Sequence, residues 1–360
     1  MLPLLYTGGL IKMAGTRGRI GMSYQKQEEK MRNKARVAVA VALLVSLFIG
    51  LPVVDAQTRT KIKYGLGDVL TTDDLQLLIA VERAKARGVD VEVIPLKSEE
   101  LATQAVINGQ VDMGQGTPYA AIQKVNVPVR FIYQLYALQF FPVVNKEFYK
   151  SWKDLDGQEI TVHARGSGTE AIMNLMAKQH GIKYKNISFV PGSQVRAIGL
   201  LRGNIKASIL DSTNWNFVQK EAPGKFMVLP MGSVSASDES IFATKAFLDK
   251  NRDAVNIFVE ELLRVNREIN ANPKSVAAER KKLGLMKDLP AKLEGEITPY
   301  FEDAAKNGIF SENGGGEAAA KSDLEFYTLS GQLKGDNLKI EDFWDMGPLK
   351  AAYSKMGFKK

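Results

Sequence analysis

Ile107-Asn108-Gly109-Gln110-Val111-Asp112-Met113-Gly114-Gln115-Gly116-Thr117 carries the decisive pattern. A helical run over 99–107 is stopped by Asn108-Gly109, an apolar strand follows over 111–114, and a short loop opens into a helix at Thr117. The same order returns downstream. A helix over 194–201 ends at Arg202-Gly203, a strand runs over 205–210, and Asp211-Ser212-Thr213 leads into another helix. Working outward, each copy is preceded by strand, helix and strand. In the first copy these are a strand over 61–65, a helix through Leu75, Leu78 and Ile79 to Gly88, and a strand over 89–94 ended by Pro95. In the second they are a strand over 159–163, a helix over 169–180 closed by Gly181, and a strand over 187–190 stopped by Pro191. Gly88 and Gly181, Gly109 and Gly203, and Thr117 and Thr213 lie 93, 94 and 96 residues apart, so the two copies keep nearly constant register. Strands alternating with helices define an α/β class with parallel or mixed sheets. Two like-built lobes imply a cleft between them, with ligand beyond the carboxyl ends of the strands and at helix N-termini.

The ends set the frame for composition. Met31-Arg32-Asn33-Lys34-Ala35-Arg36 is a basic segment, 37–51 is an apolar run, and Val54-Asp55-Ala56 offers small residues before a cut. Residues 31–56 are therefore predicted to be a signal peptide cleaved after Ala56, and residues 1–30 an extension from a mispredicted start. The apolar run of 15 residues is short of the roughly 20 a spanning helix needs. Residues 1–56 carry 8 of the 48 Lys and Arg and 3 of the 40 Asp and Glu, which leaves 40 against 37, a net charge of +3. The sequence pI near 9.3 is thus no nucleic-acid footprint, since the remaining cations are scattered. With no cysteine, a disulfide framework, a thiolate metal site, a cysteine nucleophile and a lipid-modified cysteine are all excluded.

At this point the residues match a known family. The strings Ile107 to Gly114, Trp152-Lys153-Asp154-Leu155-Asp156-Gly157-Gln158-Glu159-Ile160 and Ser240-Ile241-Phe242-Ala243-Thr244 carry the resemblance, with Asp323-Leu324-Glu325-Phe326-Tyr327 and Asp342-Phe343-Trp344-Asp345. The chain resembles, over nearly all of 61–360, the periplasmic binding proteins of ABC importers for nitrate, taurine, alkanesulfonates and thiamine precursors. The resemblance implies a two-lobed α/β fold of the periplasmic-binding-protein type II class, with the second lobe inserted in the first and a helical C-terminal extension. It implies hinge closure on a ligand, a monomer, and a membrane permease and an ATPase as partners. No cofactor is expected, and an exported chain with no lipid-modified cysteine is expected to float free in the periplasm. The expected lobes are 57–145 with 240–360, and 146–239, with hinges near 143–146 and 237–244.

Ala164-Arg165-Gly166-Ser167-Gly168-Thr169 joins a strand to a helix and reads as an anion site: glycines open the approach, and Ser167, Gly168 and Thr169 place hydroxyls and N–H groups at the positive helix end. Arg165 would add a charge-assisted pair, and the solute is accordingly expected to be anionic. An ordinary capped turn explains the same residues. No lysine follows the glycines, so this is no nucleotide P-loop. Gln115 and Thr117 are the matching positions of the first lobe, and Asp211, Asn214 and Trp215 those of the second. Helix capping by Asp211 and core packing by Trp215 compete with ligand roles. In the acidic loop 67–74, Thr72 to Asp74 read equally as caps; Asp68 and Thr71 complete the candidate set. His163 ends a strand beside Arg165, and His180 ends a helix, a spacing that argues against a metal site. No Gly-x-Ser-x-Gly or His-Glu-x-x-His appears, so an enzyme is not expected. The competing functions are a binding protein of another transporter class, a sensory module, and, remotely, an enzyme like the thiamine-pyrimidine synthases, whose cysteine-rich motif this chain lacks.

Overall fold

The computed structural model describes residues 59–359; the predicted leader lies outside them. Two five-stranded sheets organise the chain. In sheet A, strands β1 (Thr60–Leu66), β2 (Val89–Pro95) and β3 (Met113–Gly116) run parallel. They are joined through helices α1 (Leu75–Ala86) and α2 (Glu99–Ile107), the parallel crossovers that βαβ units require. Strand β4 (Val129–Ala137) closes the sheet, and the order is β2-β1-β3-β10-β4 with β10 (Ser237–Thr244) antiparallel to both neighbours. A four-residue helix α3 (Tyr119–Ile122) follows β3.

Sheet B repeats the plan. Its strands are β5 (Phe140–Asn145), β6 (Glu159–Val162), β7 (Asn186–Phe189), β8 (Ala207–Asp211) and β9 (Phe226–Val228), in the order β7-β6-β8-β5-β9. Helices α4 (Gly168–His180), α5 (Ser193–Leu201) and α6 (Ser212–Glu221) flank them. In each sheet, the fourth position is taken by the strand that follows a passage between lobes: β5 in sheet B after the outward passage and β10 in sheet A after the return. The second lobe is inserted in the first, as expected, but the crossing falls elsewhere. Phe140–Asn145 pairs antiparallel with β8 and β9, so it belongs to sheet B, and the outward crossing is Leu138-Gln139 rather than 143–146. The return runs through the segment before Ser237.

The C-terminal helices are α7 (Lys245–Lys250), α8 (Arg252–Ala271), α9 (Ser275–Leu283), α10 (Ala291–Lys306), α11 (Gly316–Leu329) and α12 (Gly347–Met356). The helical stretch from Lys245 to Ala271 is broken at Asn251, where the backbone leaves helical geometry. Helix α8 buries Val255, Phe258, Val259, Leu262 and Leu263 against Tyr64, Leu77 and Ile241 of the first lobe's core. A second cluster passes from Phe131 and Phe242 through Leu138 and Tyr327 to Val162, Ile172 and Met176, so apolar packing continues across the crossing. A third, with Val143, Leu200, Leu210 and Val218, fills the far face of sheet B. Among the described residues, no helix is long and apolar enough to cross a membrane.

Candidate functional site

The carboxyl ends of β1, β3, β6 and β8 meet between the sheets. Asp68 follows β1, and its Oδ2 lies 3.8 Å from His163 Nδ1, immediately after β6. His163 Nε2 lies 3.8 Å from Oε1 of Glu99, the first residue of α2. Glu99 is buried where Gly116 leaves room for its carboxylate, and Oε2 accepts from the N–H of Thr117 at 2.8 Å. On β10, Glu239 accepts a hydrogen bond from Gln115, whose own amide oxygen accepts from Tyr64 at 2.9 Å. Asp238 stands beside it, and Asp74 accepts from the N–H of Thr71 in the capping box of the turn over 72–74 that precedes α1, a turn that also carries Asp73.

One guanidinium enters this cluster. Arg196 of α5 is 1% exposed; its Nε donates to Ile209 O at 3.1 Å, and Nη1 donates to Val190 O at 3.0 Å and reaches His163 Nδ1 at 3.5 Å. Burial, helped by Arg196, holds His163 down at about 3, so the imidazole is neutral. Nδ1 accepts from Gly192 N–H at 3.2 Å, which assigns the proton to Nε2. Burial also pushes Asp74 and Glu99 up to about 7 and Asp73 to about 8; Asp211 and Asp74 add like-charge repulsion at Asp73. Asp238 and Glu239 are pushed well above the carboxylate range by burial first and then by each other's neighbours, Glu99 among them.

Of the residues singled out in the sequence, Asp68, Gln115, Thr117 and Asp211 are brought to this space. Asp211 also caps α6, accepting from the N–H and side-chain amide of Asn214, so Asn214 is engaged locally. Trp215 packs on the far core of the second lobe. Thr71 is exposed and caps the turn before α1. The glycine loop is spent on itself: Ser167 Oγ donates to Ala164 O at 2.7 Å and sits 2.8 Å from Thr169 Oγ1, which accepts from His163 N–H. Gly168 is covered; a Cβ there would stand 2.9 Å from Leu138. Arg165 is exposed, with its guanidinium over Phe189 at 4.9 Å from the ring centre. Sequence reasoning did not single out Glu99, Arg196, Asp238 or Glu239. Glu99 opens α2 and Arg196 lies in the first turn of α5, positions where charges normally face solvent.

Two sheets of this order, each with a strand that follows a passage between lobes, define the periplasmic-binding-protein fold. The family model described as NMT1/THI5 like matches residues 79–276, and the chain belongs to that family. No curated protein matches the chain. Among solved structures, a protein of Bordetella bronchiseptica RB50 is similar at 20% identity and a TM-score of 0.67, over 83% of this chain and 98% of that one. The periplasmic nitrate-binding protein NrtA from Synechocystis PCC 6803 is similar at 14% identity and 0.61, over 82% and 89%. The zinc-bound ligand binding component of an ABC-type import system from Staphylococcus aureus is similar at 16% and 0.60, over 82% and 99%.

Proposed function

We propose that this protein is the exported substrate-binding component of an ABC importer. It captures one small solute between its lobes, closes on it, and presents the closed form to a membrane permease powered by an ATPase. The observation that carries this reading is that Asp68 and Glu99 of one lobe face His163 and Arg196 of the other, between sheets joined by two crossings. Polar groups converging from two bodies on one space are what a closing receptor needs, because each lobe alone offers half the contacts. The printed names of the Synechocystis and Staphylococcus neighbours, a nitrate-binding protein and an import-system component, support the same reading. Placement in the periplasm follows from the leader read in residues 31–56. The hinge of this reading is at 138–139 and in the segment 229–236, where the chain passes between sheets. Native mass spectrometry of protein purified from its own host should find one small molecule per chain. X-ray scattering should then give a smaller radius of gyration with that molecule than after its removal; superimposable curves would sink the closure.

A further inference from the structure

We propose that the solute is a small organic cation carrying a hydrogen-bond acceptor next to its charged nitrogen. This rests on the reading of the space between the lobes as the solute site. Six carboxyls reach that space from the first lobe, Asp68, Asp73, Asp74, Glu99, Asp238 and Glu239, and Asp211 joins them from the second. They act on one another: Asp238 is repelled by Glu99, Asp211 and Asp68, and Glu239 by Asp238, Glu99, Asp68 and Asp74. Among the described residues the one guanidinium against them, Arg196, is already committed to the carbonyls of Ile209 and Val190, and His163 is neutral. An anion entering here would further oppose ionisation of these carboxyls, with Arg196 its one charged partner among the described residues. A cation would favour their ionised form and offset their mutual repulsion.

His163 supplies the independent observation. Its side chain is 9% exposed, its Nε2 has no hydrogen-bond partner, and it points to Glu99 Oε1 at 3.8 Å, too far for a bond. A buried N–H donor left unpaired beside a carboxylate is costly, and it is satisfied by an acceptor placed between the lobes. The same atom on the ligand cannot serve the carboxyls, which ask for positive N–H groups. Hence the ligand presents both, charge toward Asp238, Glu239 and Glu99, and an acceptor toward His163. Among the described residues no group of three or more acidic or histidine side chains is arranged to hold a metal ion, which favours an organic cation over a divalent one.

The test is thermal unfolding of the exported chain with three probe sets at millimolar concentration: ethanolamine, glycinamide and 2-methoxyethylamine, each an ammonium beside an oxygen acceptor; nitrate, methanesulfonate and benzoate; and zinc. The expected result is stabilisation by at least one member of the first set and by none of the others. Glu239→Gln, which keeps the shape, should weaken that binding about thirtyfold or more while raising the unfolding temperature of the free protein. Arg165→Ala should bind as the wild type does. Stabilisation by anions or by zinc without any by the organic cations overturns the charge assignment and leaves the solute-site reading standing. No shift from any set overturns both.

Discussion

Gly116 makes room for Glu99: a Cβ at Gly116 would stand 2.7 Å from Glu99 Oε2, and the backbone there holds a φ of +140° that L side chains avoid. The carboxylate cannot simply swing away, since Thr117 N–H donates to it. Gly116→Ala should therefore destabilise the fold by about 1–3 kcal/mol and misplace Glu99 in the cleft. Chemical denaturation and solute titration read both effects. Wild-type stability in this variant would remove Glu99 from its assigned position.

Unliganded stability should fall as pH rises from about 5 to 8. Asp74 and Glu99 hold protons up to about 7 in the folded chain and Asp73 to about 8, against 3.8 for the aspartates and 4.5 for Glu99 when unfolded. Between those values the unfolded chain has released protons that the native chain keeps, so stability is fully present below the unfolded values and is lost through the folded ones. Each buried group sets an upper slope of about 1.4 kcal/mol per pH unit. His163, depressed from 6.5 to about 3, opposes this below 6.5, but as one group against several. Unfolding temperatures across this range check the sign, and Glu99→Gln should flatten the slope. A profile that climbs toward pH 8 contradicts the arrangement.

Arg165 and Arg196 should separate cleanly. Arg165→Ala removes an exposed cation–π contact with Phe189 and should cost under about 1 kcal/mol in stability. Arg196→Met strips buried carbonyls of Ile209 and Val190 of their donor and leaves the carboxyl cluster unopposed, so a loss of about 3 kcal/mol or more is expected. Equal melting temperatures for the two variants would refute this.

Asp323 ties the return crossing to the first lobe. It is fully buried and accepts from Tyr119 Oη at 2.6 Å, Ser237 N at 2.6 Å and Ser237 Oγ at 2.8 Å. Asp323→Asn replaces one acceptor oxygen with an NH2 that faces donors, which should cost about 2–3 kcal/mol. Hydrogen exchange should show the amide of Ser237 losing protection before the rest of β10. Unchanged protection there would mean that the crossing is held by packing alone.

The doubled module was legible because its signals are local: Gly181 caps α4 in the left-handed region, and Glu99–Ile107 falls at its predicted bounds. Strand β4 was not read, although 129–137 is apolar nearly throughout, because a strand buried on both faces shows no alternation. The site was less legible than the fold. Ser167 and Thr169 looked like ligand donors, yet a hydroxyl in a strand-to-helix turn serves its own backbone equally well, and here it does. Asp68 stood clear of any cap and does reach the second lobe. Glu239 and Arg196 become site residues only through pairing far along the chain, Gln115 with Glu239 across 124 positions and Arg196 with His163 across 33, and no spacing rule encodes that.

Ala137 and Ser237 are register partners in sheet A, and Leu138 N–H donates to Ala236 O at 2.8 Å. The chain thus leaves for its second half and comes back at the same doorstep. Everything from 139 to 235 is a cassette whose ends already form the mouth of a hairpin, so a short turn could rejoin β4 to β10 without disturbing their ladder. A fold built this way can exchange its inserted lobe by recombination at one point, keeping the five strands of sheet A as a fixed chassis.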